Sequence, residues 1–487
     1  MGFSKQSLYL ETVGTISEEI SHEFIAELLD YLYIIKIHAT AKVKEIPYIC
    51  KKLFKDYTKP FCDKYSFLTN IQMYPRDTRR NYSFVLTYSG TKIILPYNML
   101  AFEALNPKNT ILDQLKCSNN VESFFFTLSK FFHDLNLPLV KNDIKIIKFL
   151  MDPIIRNEIP SIPTNRQIAT SLDVSENTIS RRLNQLYCNS ILCHTYRVDI
   201  AKLGYYTSTI IHIDNLDILP PIFKPYCLVD VLLDWGEFMA KMKILQIPST
   251  QKSVFCEIKD YFEPLYEVTL TKNYIGWNLN SLTSKTEERW QNLPPIFLCD
   301  KWTDHQFSGK LGVEQNLISN KNTFKITTTQ ARMLDLIQNG TIMSKRYLSK
   351  KLNIGQKYIK QFFDEFFLKR LIKRFSILSN IGLGSKVWIT LLGPRSNSGI
   401  DLLNNIIKHL KFFPFTYLFY NDNNLDSRGR IILTGLLCMP SSWYDDLYNV
   451  WFDLLEEGFV PKININQGNV KWGIDLEQTY DFSAYIS

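Results

Sequence analysis

The sequence has 487 residues, of which 45% are hydrophobic, and a formal net charge of +8 at pH 7, so it predicts three to five domains with ordinary cores. No stretch approaches the ~20 uninterrupted apolar residues that span a bilayer, and the first ten residues lack the apolar core of a signal peptide, so we expect a cytoplasmic protein that does not enter a membrane. The nine cysteines form no C-x-x-C pair, and Cys188, Cys193 and His194 have no second pair nearby, so we expect reduced thiols and no metal site.

The N-terminal residues 1–110 predict a ferredoxin-like α+β domain without a preceding helix-turn-helix, and residues 111–140 predict a helical connector. The expected elements of this domain are a strand over Leu32–His38, a helix over Val43–Tyr57 and a hairpin formed by Phe67–Tyr74 and Tyr82–Tyr88.

A winged helix-turn-helix is predicted over residues 141–204, because short amphipathic helices with capping residues precede an alternating β pattern. Its expected elements are a helix over Asp143–Arg156, a short helix capped by Thr164 and ending at Leu172, a third helix over Glu176–Tyr187 capped by Ser175, and a strand pair within Ile191–Ile213.

Residues 205–280 predict a ferredoxin-like sandwich, in which two helices cover one face of a four-stranded sheet. The expected strands are Thr207–Ile213, Leu228–Leu233, Phe238–Leu245 and Tyr266–Asn273, and the expected helices lie near Leu216–Phe223 and Thr250–Tyr261. The polar residues 281–322 predict a linker that contains Pro294-Pro295 and at most one helix.

The winged unit repeats at an offset of 180 residues. Residues 164–187 and 344–367 align without gaps, so that Ile168 matches Leu348 and Ile179 matches Ile359, and the match continues through Leu203 and Leu383. Such a match predicts duplication of one unit. The second copy predicts a winged helix-turn-helix over 323–385.

The second winged unit is expected to contain a helix capped by Thr327 or Thr328 and ending at Gln338, a helix capped by Ser344, and a third helix over Gln356–Leu368. Residues 386–487 predict a second ferredoxin-like sandwich with strands over Val387–Leu392, Thr416–Tyr420 and Arg430–Met439 and helices over Gly399–Lys411 and Ser442–Glu457.

The positive charge is concentrated in the second winged unit. Residues 321–374 contain thirteen basic and three acidic side chains, a net charge of +10, which leaves the rest of the chain at about −2. Charge concentrated in one segment is typical of a protein with a polyanionic partner, although a solvated lysine-rich face would have the same composition.

The first winged unit resembles the Lrp/AsnC family of archaeal and bacterial transcription regulators. The resemblance rests on Ile168-Ala169, Leu172-Asp173-Val174-Ser175, Thr178-Ile179-Ser180-Arg181-Arg182-Leu183, Leu186, Ile191, Val198-Asp199 and Leu203-Gly204, and on glycine turns at Asp234–Phe238 and Ser427–Arg430. It implies a sequence-specific regulator that reads duplex DNA, with sandwiches that are used for assembly, here into a homodimer, and sometimes for binding a small-molecule effector. Members of the family usually have one winged unit and one sandwich, whereas this sequence predicts two of each. The two DNA-binding units would then be linked covalently within one chain.

In a helix-turn-helix, the third helix enters the major groove and the preceding helix contacts phosphates. We therefore expect residues of both units to contact double-stranded DNA, with Arg181 reading guanine and Asn177 adenine. The expected contacts in the first unit are Thr164, Arg166, Ser175, Asn177, Thr178, Ser180, Arg181 and Arg182. The expected contacts in the second unit are Lys345, Arg346, Gln356, Lys357, Lys360, Gln361, Lys373 and Arg374.

Two other functions remain open at this stage. Siroheme decarboxylases also resemble Lrp/AsnC proteins, and a decarboxylase of this kind would use His194, Tyr196 and Arg197 in the first wing. An adaptor protein would instead bind partners through its winged units, with Phe362, Phe363, Phe366 and Phe367 at the interface, although most of these rings are expected in the core. RNA binding is less favoured, because no stacking platform is evident. We expect a regulator that is not an enzyme and needs no cofactor.

Overall fold

The computed structural model shows a mixed α+β protein and describes part of the chain. The described residues are 72–76, 81–88, 91–96, 137–152, 155, 161–188, 191–213, 220–234, 239–262, 264–270, 272–285, 289–290, 293–298, 302, 315–317, 324–338, 345–379, 381–394, 396–421, 430–465, 469–470 and 476–480. No helix within these ranges is long and apolar enough to cross a membrane.

The chain forms two compact units. One consists of residues 1–137, 181–193 and 378–384, and the other of residues 138–180, 194–377 and 385–487. In the compact unit that contains residues 1–137, strands β1 (Gln72–Arg76), β2 (Asn81–Tyr88) and β3 (Thr91–Pro96) form an antiparallel sheet in the order β1-β2-β3. The second strand of the predicted hairpin is confirmed as β2, and β1 covers residues 72–74 of the first, whose residues 67–71 lie outside the described ranges. Strand β3 is one that the sequence did not predict. The expected strand over 32–38, the helix over 43–57 and nearly all of the helical connector lie outside the described residues.

The first helix-turn-helix consists of helices α1, α2 and α3, which span Lys141–Met151, Asn165–Leu172 and Glu176–Cys188. Thr164 caps α2 as predicted, because its hydroxyl accepts a hydrogen bond from the backbone N–H of Gln167 at 3.2 Å. Ser175 caps α3 in the same way, accepting from the backbone N–H of Thr178 at 3.2 Å.

The predicted strand pair of the first wing is wrong. Strand β4 (Leu192–Val198) and strand β5 (Tyr205–Ile213) belong to different sheets, with a short 3₁₀ helix and Gly204 between them. Gly204 has a φ of 80°, a left-handed conformation that glycine adopts without a steric cost. Alternation of polar and apolar residues identifies both strands but does not determine the partner of either one.

The first sandwich contains β5, β6 (Cys227–Asp234), β7 (Met239–Pro248), helix α4 (Lys252–Phe262) and β8 (Tyr266–Leu270). Its strands lie in the order β6-β7-β5-β8, which is the strand order of a ferredoxin-like sheet. Two expectations need correction. Residues 220–223 form a turn rather than the end of a helix, and the strand predicted over Tyr266–Asn273 is two strands, since β9 (Lys272–Trp277) leaves this sheet. Residues 214–219 and the glycine turn at 235–238 lie outside the described residues.

The segment expected to be a linker includes a β-bridge between Leu282 and Trp290, a 3₁₀ turn over Pro295–Leu298 and strand β10 (Gln315–Leu317), which pairs with β9. The second winged unit follows with helices α5, α6 and α7 and strand β11, which span Thr328–Gln338, Lys345–Leu352, Gln356–Leu368 and Ile372–Leu378. Thr327 caps α5, since its hydroxyl accepts from the backbone N–H of Gln330. The cap expected at Ser344 lies outside the described residues.

The second sandwich contains strands β12 to β15 and helices α8 and α9. In chain order these elements are β12 (Ser385–Pro394), α8 (Asn397–Leu410), β13 (Phe415–Tyr420), β14 (Arg430–Met439), α9 (Tyr444–Phe452) and β15 (Val460–Ile465). The strand order β13-β14-β12-β15 matches that of the first sandwich. A two-residue strand β16 (Asn469–Val470) and a short helix α10 (Leu476–Thr479) follow. The second glycine turn lies outside the described residues except for Arg430.

The backbone reproduces the 180-residue repeat. Asp173 and Asn353 both adopt left-handed φ values, 52° and 54°, at the turn before the third helix. In each turn the next residue donates to a carbonyl five residues earlier, Val174 to Ala169 at 3.1 Å and Ile354 to Ser349 at 3.2 Å. The duplication predicted from apolar positions therefore extends to the local backbone conformation.

The two sandwiches exchange strands. Strand β9, which follows the first sandwich, pairs with edge strand β13 of the second, and β16, which follows the second sandwich, pairs with edge strand β6 of the first. The two sheets also pack against each other, because the hydroxyl of Thr434 lies 3.3 Å from the Met242 sulfur. One apolar core accordingly contains Ile211 and Met242 of the first sandwich together with Trp388 of the second.

Candidate nucleic-acid interface

The third helix of the first winged unit has one buried and one exposed face. Ile179, Leu183 and Leu186 are at most 5% exposed, whereas Asn177 and Arg181 are exposed. These two side chains lie four positions apart on a helix and therefore project from the same side. The pattern leaves a polar, exposed face on α3 opposite its apolar stripe.

The structure places every predicted contact of the first unit at least partly in solvent. Thr164, Arg166, Ser175, Asn177 and Arg181 are exposed, and Thr178, Ser180 and Arg182 are half-buried. Several of these groups already have local partners. The hydroxyls of Ser175 and Thr178 lie 2.9 Å apart, and the Arg182 guanidinium donates to Gln185 one turn later on α3. Among the predicted contacts on α3, Asn177 and Arg181 are the two that are exposed rather than half-buried.

In the second winged unit, helices α6 and α7 carry a dense group of exposed polar side chains. The predicted contacts that are exposed are Lys345, Arg346, Gln356, Lys357, Lys360 and Gln361. Lys350 and Lys351 are exposed beside them in the last turn of α6. Lys373, on β11, is half-buried.

The cations on these two helices differ from other cations of the same segment. Arg332 forms an ion pair with Glu477 at 2.6 Å, and Lys369 forms one with Glu365 at 2.6 Å. Helices α6 and α7 together carry six cations, which we name the basic face: Lys345, Arg346, Lys350, Lys351, Lys357 and Lys360. Within the described part of the chain, no carboxylate lies within ion-pair distance of any of them. Uncompensated positive charge of this density attracts polyanions.

Arg374 does not belong to this surface, contrary to the prediction that it contacts DNA. It is 2% exposed, and its guanidinium donates at 3.0 Å to the backbone carbonyls of Leu150 and Ser161. The Leu150 carbonyl lies in the last turn of α1, where helical carbonyls have no partner within the helix. Arg374 therefore braces the second wing against the first winged unit instead of facing solvent.

Two exposed tyrosines of the second winged unit were not among the predicted contacts. Tyr347 on α6 is 40% exposed and Tyr358 on α7 is 38% exposed. Both directly precede a buried core residue, Leu348 and Ile359 respectively. Their position off the apolar stripe of each helix is the signal that could have identified them. A phenol hydroxyl at such a position can donate to a phosphate oxygen.

The wing residues considered for an enzyme lie in the interior. His194 is 4% exposed, and its Nδ1 lies 2.8 Å from the Ser376 hydroxyl. Burial, reinforced by the charge of Arg374, lowers the pKa of His194 to about 3. Burial raises the pKa of Tyr196 to about 12, and Arg374 opposes that shift. At neutral pH both side chains are therefore uncharged, and neither titrates in the range that general acid–base catalysis uses.

The third residue of that set, Arg197, contacts the second sandwich. Its guanidinium donates to the Asn273 side chain at 3.0 Å and lies 5.5 Å from the centre of the Tyr417 ring. Among the described residues, no group of three His, Cys, Asp or Glu side chains could hold a metal ion. The described geometry thus gives these wing residues packing partners rather than an open cleft.

The phenylalanines of α7 are mostly core residues, as expected. Phe362, Phe363 and Phe366 are at most 6% exposed, and Phe367 is half-buried. The Tyr196 ring of the first wing packs against Phe363 and Phe367, with ring centres 5.4 and 5.5 Å apart. An adaptor surface on these rings would require the two repeats to separate.

Neither a protein-family model nor a curated protein matches the sequence. Among solved structures, the chain is similar to the siroheme decarboxylase NirDL, at 10% sequence identity and a TM-score of 0.40, over 69% of this chain and 96% of that one. The same enzyme in complex with an iron-uroporphyrin III analogue matches at 9% identity and a TM-score of 0.38, over 69% of this chain and 95% of that one.

Proposed function

We propose that this chain is a transcription regulator of the Lrp/AsnC type that binds double-stranded DNA through its two helix-turn-helix units. The observation that carries the proposal is the basic face on α6 and α7, whose six exposed cations have no ion pair within the described residues. Lysine-rich surfaces bind phosphates as point charges and release condensed counterions, which gives affinity that falls steeply with salt.

The first unit supplies the sequence preference in this proposal. Asn177 can form a bidentate hydrogen bond with adenine, and Arg181 can do so with guanine. Both lie in the first two turns of α3, which is the part of a recognition helix that meets base edges. The capped N-terminus of α2 at Thr164, next to exposed Arg166, suits a phosphate contact.

The two winged units would bind DNA together, but their DNA site would not be a strict palindrome. The strand exchange between the sandwiches provides, within one chain, the pairing that family members usually achieve with two chains. The recognition helices differ in chemistry, since α3 exposes Asn177 and Arg181 whereas α7 exposes Lys357 and Lys360. We therefore expect an asymmetric DNA site, with one half defined by sequence and the other bound mainly through phosphates.

A mobility-shift titration of the full chain with a random 30-base-pair duplex, at two salt concentrations, tests this function directly. We expect binding that weakens strongly at the higher salt, followed by enrichment of an asymmetric motif when a random duplex library is selected. Lys357→Gln/Lys360→Gln should weaken binding, whereas Lys224→Gln/Lys259→Gln, which removes two exposed lysines from the first sandwich, should not. Equal binding by both double variants, or no shift at either salt concentration, would reject the proposal.

A further inference from the structure

A pocket of about 530 Å³ opens beside the strand that the first repeat adds to the second sandwich. Its lining combines one face of α8, the residue that follows that helix, and the paired ends of β9 and β13. The lining residues are Lys272, Asp401, Asn404, Asn405, Ile407, Lys408, Lys411 and Tyr420. Lys272 and Tyr420 are direct partners in the β9–β13 register, so this part of the lining depends on the pairing of β9 with β13.

The most informative residue of the pocket is Lys411. It is 7% exposed, and its ammonium lies 4.8 Å from the centre of the Tyr274 ring. Within the described part of the chain, no carboxylate lies within ion-pair distance of this ammonium. A buried cation is costly unless an anion or a hydrogen-bond acceptor compensates it. A single aromatic face provides only part of that compensation.

Two further lysines add positive charge to the lining of the pocket. Lys272 approaches from β9, and Lys408 lies one turn before Lys411 and donates to Asn405 at 3.3 Å. Among the lining residues that the structure describes, Asp401 is the one acidic side chain, beside three lysines. The remaining polar groups, on Asn404, Asn405 and Tyr420, can hydrogen-bond to the uncharged part of a ligand.

We propose that this pocket binds a small phosphorylated molecule, with its phosphate among the ammonium groups of Lys272, Lys408 and Lys411. A phosphate monoester has a charge close to −2 at neutral pH and can accept hydrogen bonds from several ammonium groups at once. A volume of about 530 Å³ lies in the usual range for small-molecule sites. No residue of the basic face or of α3 lines the pocket, so the inference goes beyond DNA binding and does not depend on it.

A ligand in this position would contact both repeats at once. Lys272 belongs to the strand that arrives from the first sandwich, whereas Lys408 and Lys411 belong to the second. Binding would thus stabilise the docking of β9 onto β13, because a ligand favours the state to which it binds. The pocket is therefore also a point at which a metabolite could tighten the pairing of the two halves.

Residue-specific lysine labelling of the full chain tests the proposal. Burial, with a smaller contribution from Lys408, lowers the pKa of Lys411, which raises the fraction of neutral amine available for reductive methylation by formaldehyde and cyanoborohydride. Methylation rates are measured by peptide mass spectrometry with inorganic phosphate, acetate or chloride at equal ionic strength. We expect phosphate to slow methylation of Lys411 roughly fivefold when its concentration is several times the dissociation constant. Exposed Lys145 on α1 is the control and should react equally in all three salts.

Several results of this experiment would overturn the proposal. Equal protection of Lys411 and Lys145 by phosphate would mean general screening and would overturn the proposal, as would the absence of protection. Protection by acetate but not by phosphate would overturn the assignment to a phosphorylated ligand. Lys272→Gln should reduce the protection of Lys411 by phosphate, and unchanged protection in this variant would remove β9 from the site. A mobility shift on the same samples shows separately whether DNA binding is intact.

Discussion

The Nδ1 atom of His194 lies 2.8 Å from the hydroxyl of Ser376, across the two-stranded sheet of β4 and β11. At the two ends of this pairing, Asp199 donates its backbone N–H to Leu371 at 2.8 Å, and Ser379 donates its own to Ile191 at 2.9 Å. These bonds are related by the 180-residue offset, since Asp199 corresponds to Ser379 and Ile191 to Leu371. The wings of the two repeats therefore pair about a local pseudo-twofold axis.

Burial of neutral His194 predicts a loss of stability in mild acid. The pKa of His194 is about 3 in the folded chain and 6.5 for an unperturbed histidine, so below pH 6.5 the unfolded state binds a proton that the folded state does not. This contribution to stability is fully present above pH 6.5 and declines as the pH falls towards 3. At pH 5.5 the loss is about 1.4 kcal/mol. Denaturant titrations of the free energy of unfolding at pH 7.5 and 5.5 measure it.

The variant His194→Gln provides the control, because it retains a polar group near Ser376 but cannot titrate. It should be less stable than the natural chain at pH 7.5 and should lose about 1.4 kcal/mol less on transfer to pH 5.5. Equal acid sensitivity in the two proteins would show that His194 does not contribute to this pH dependence.

Removing the Arg374 side chain should affect stability rather than DNA affinity. Arg374→Met leaves the Leu150 and Ser161 carbonyls without the two hydrogen bonds that the guanidinium donates. We expect the free energy of unfolding to fall by about 2–4 kcal/mol, because one buried and one part-buried carbonyl lose charge-assisted hydrogen bonds. The dependence of DNA binding on salt should stay unchanged at a temperature where the variant is folded. A reduced salt dependence in a folded variant would return Arg374 to the DNA surface.

Lys357 and Lys360 should contribute affinity for any duplex. In Lys357→Ala/Lys360→Ala, the slope of log affinity against log salt should become less steep by about 1.8, the value expected for two lost phosphate contacts. The affinity should fall to a similar extent on specific and random duplexes. A titration series from low to physiological salt measures the slope. A loss confined to one selected sequence would instead identify these lysines as base-reading residues.

Asn177 and Arg181 should contribute discrimination. On a duplex selected from a random library, Asn177→Ala or Arg181→Ala should cost about 1–3 kcal/mol and relax the preference at one or two base pairs. Binding of Asn177→Ala to random duplex should remain close to that of the natural chain. Asn184→Ala, which changes an exposed residue later on the same helix, is the matched control. A loss by the control as large as that of the two variants would indicate general disruption of α3.

Much of the local structure could be predicted from the sequence. The apolar spacing in the two winged units placed α2, α3 and α7 with little error, and the capping residues Thr164, Ser175 and Thr327 have the roles that their chemistry suggests. The exposed faces of α3 and α7 follow from the same spacing, because a side chain off the apolar stripe of a helix faces solvent. These features depend on residues that are close in sequence.

The features that could not be predicted depend on contacts between distant segments. The alternating pattern around β4 is compatible with any antiparallel partner, so it could not reveal pairing with β11, which begins 180 residues after it. Arg374 looked like a surface cation, since nothing local indicates that two carbonyls of the first winged unit need a donor. The pocket around Lys411 likewise requires β9 to join a sheet formed by residues more than a hundred positions later.

The exchange of strands has a consequence for synthesis of the protein on the ribosome. The strand that completes the edge of β6 is β16, which emerges more than 200 residues after β6 itself. At usual rates of translation, the delay is on the order of tens of seconds. During that time this edge lacks the strand that covers it in the described sheet, and open edges invite pairing with other chains. Chaperones that bind the nascent first sandwich would therefore protect an edge that β16 covers later.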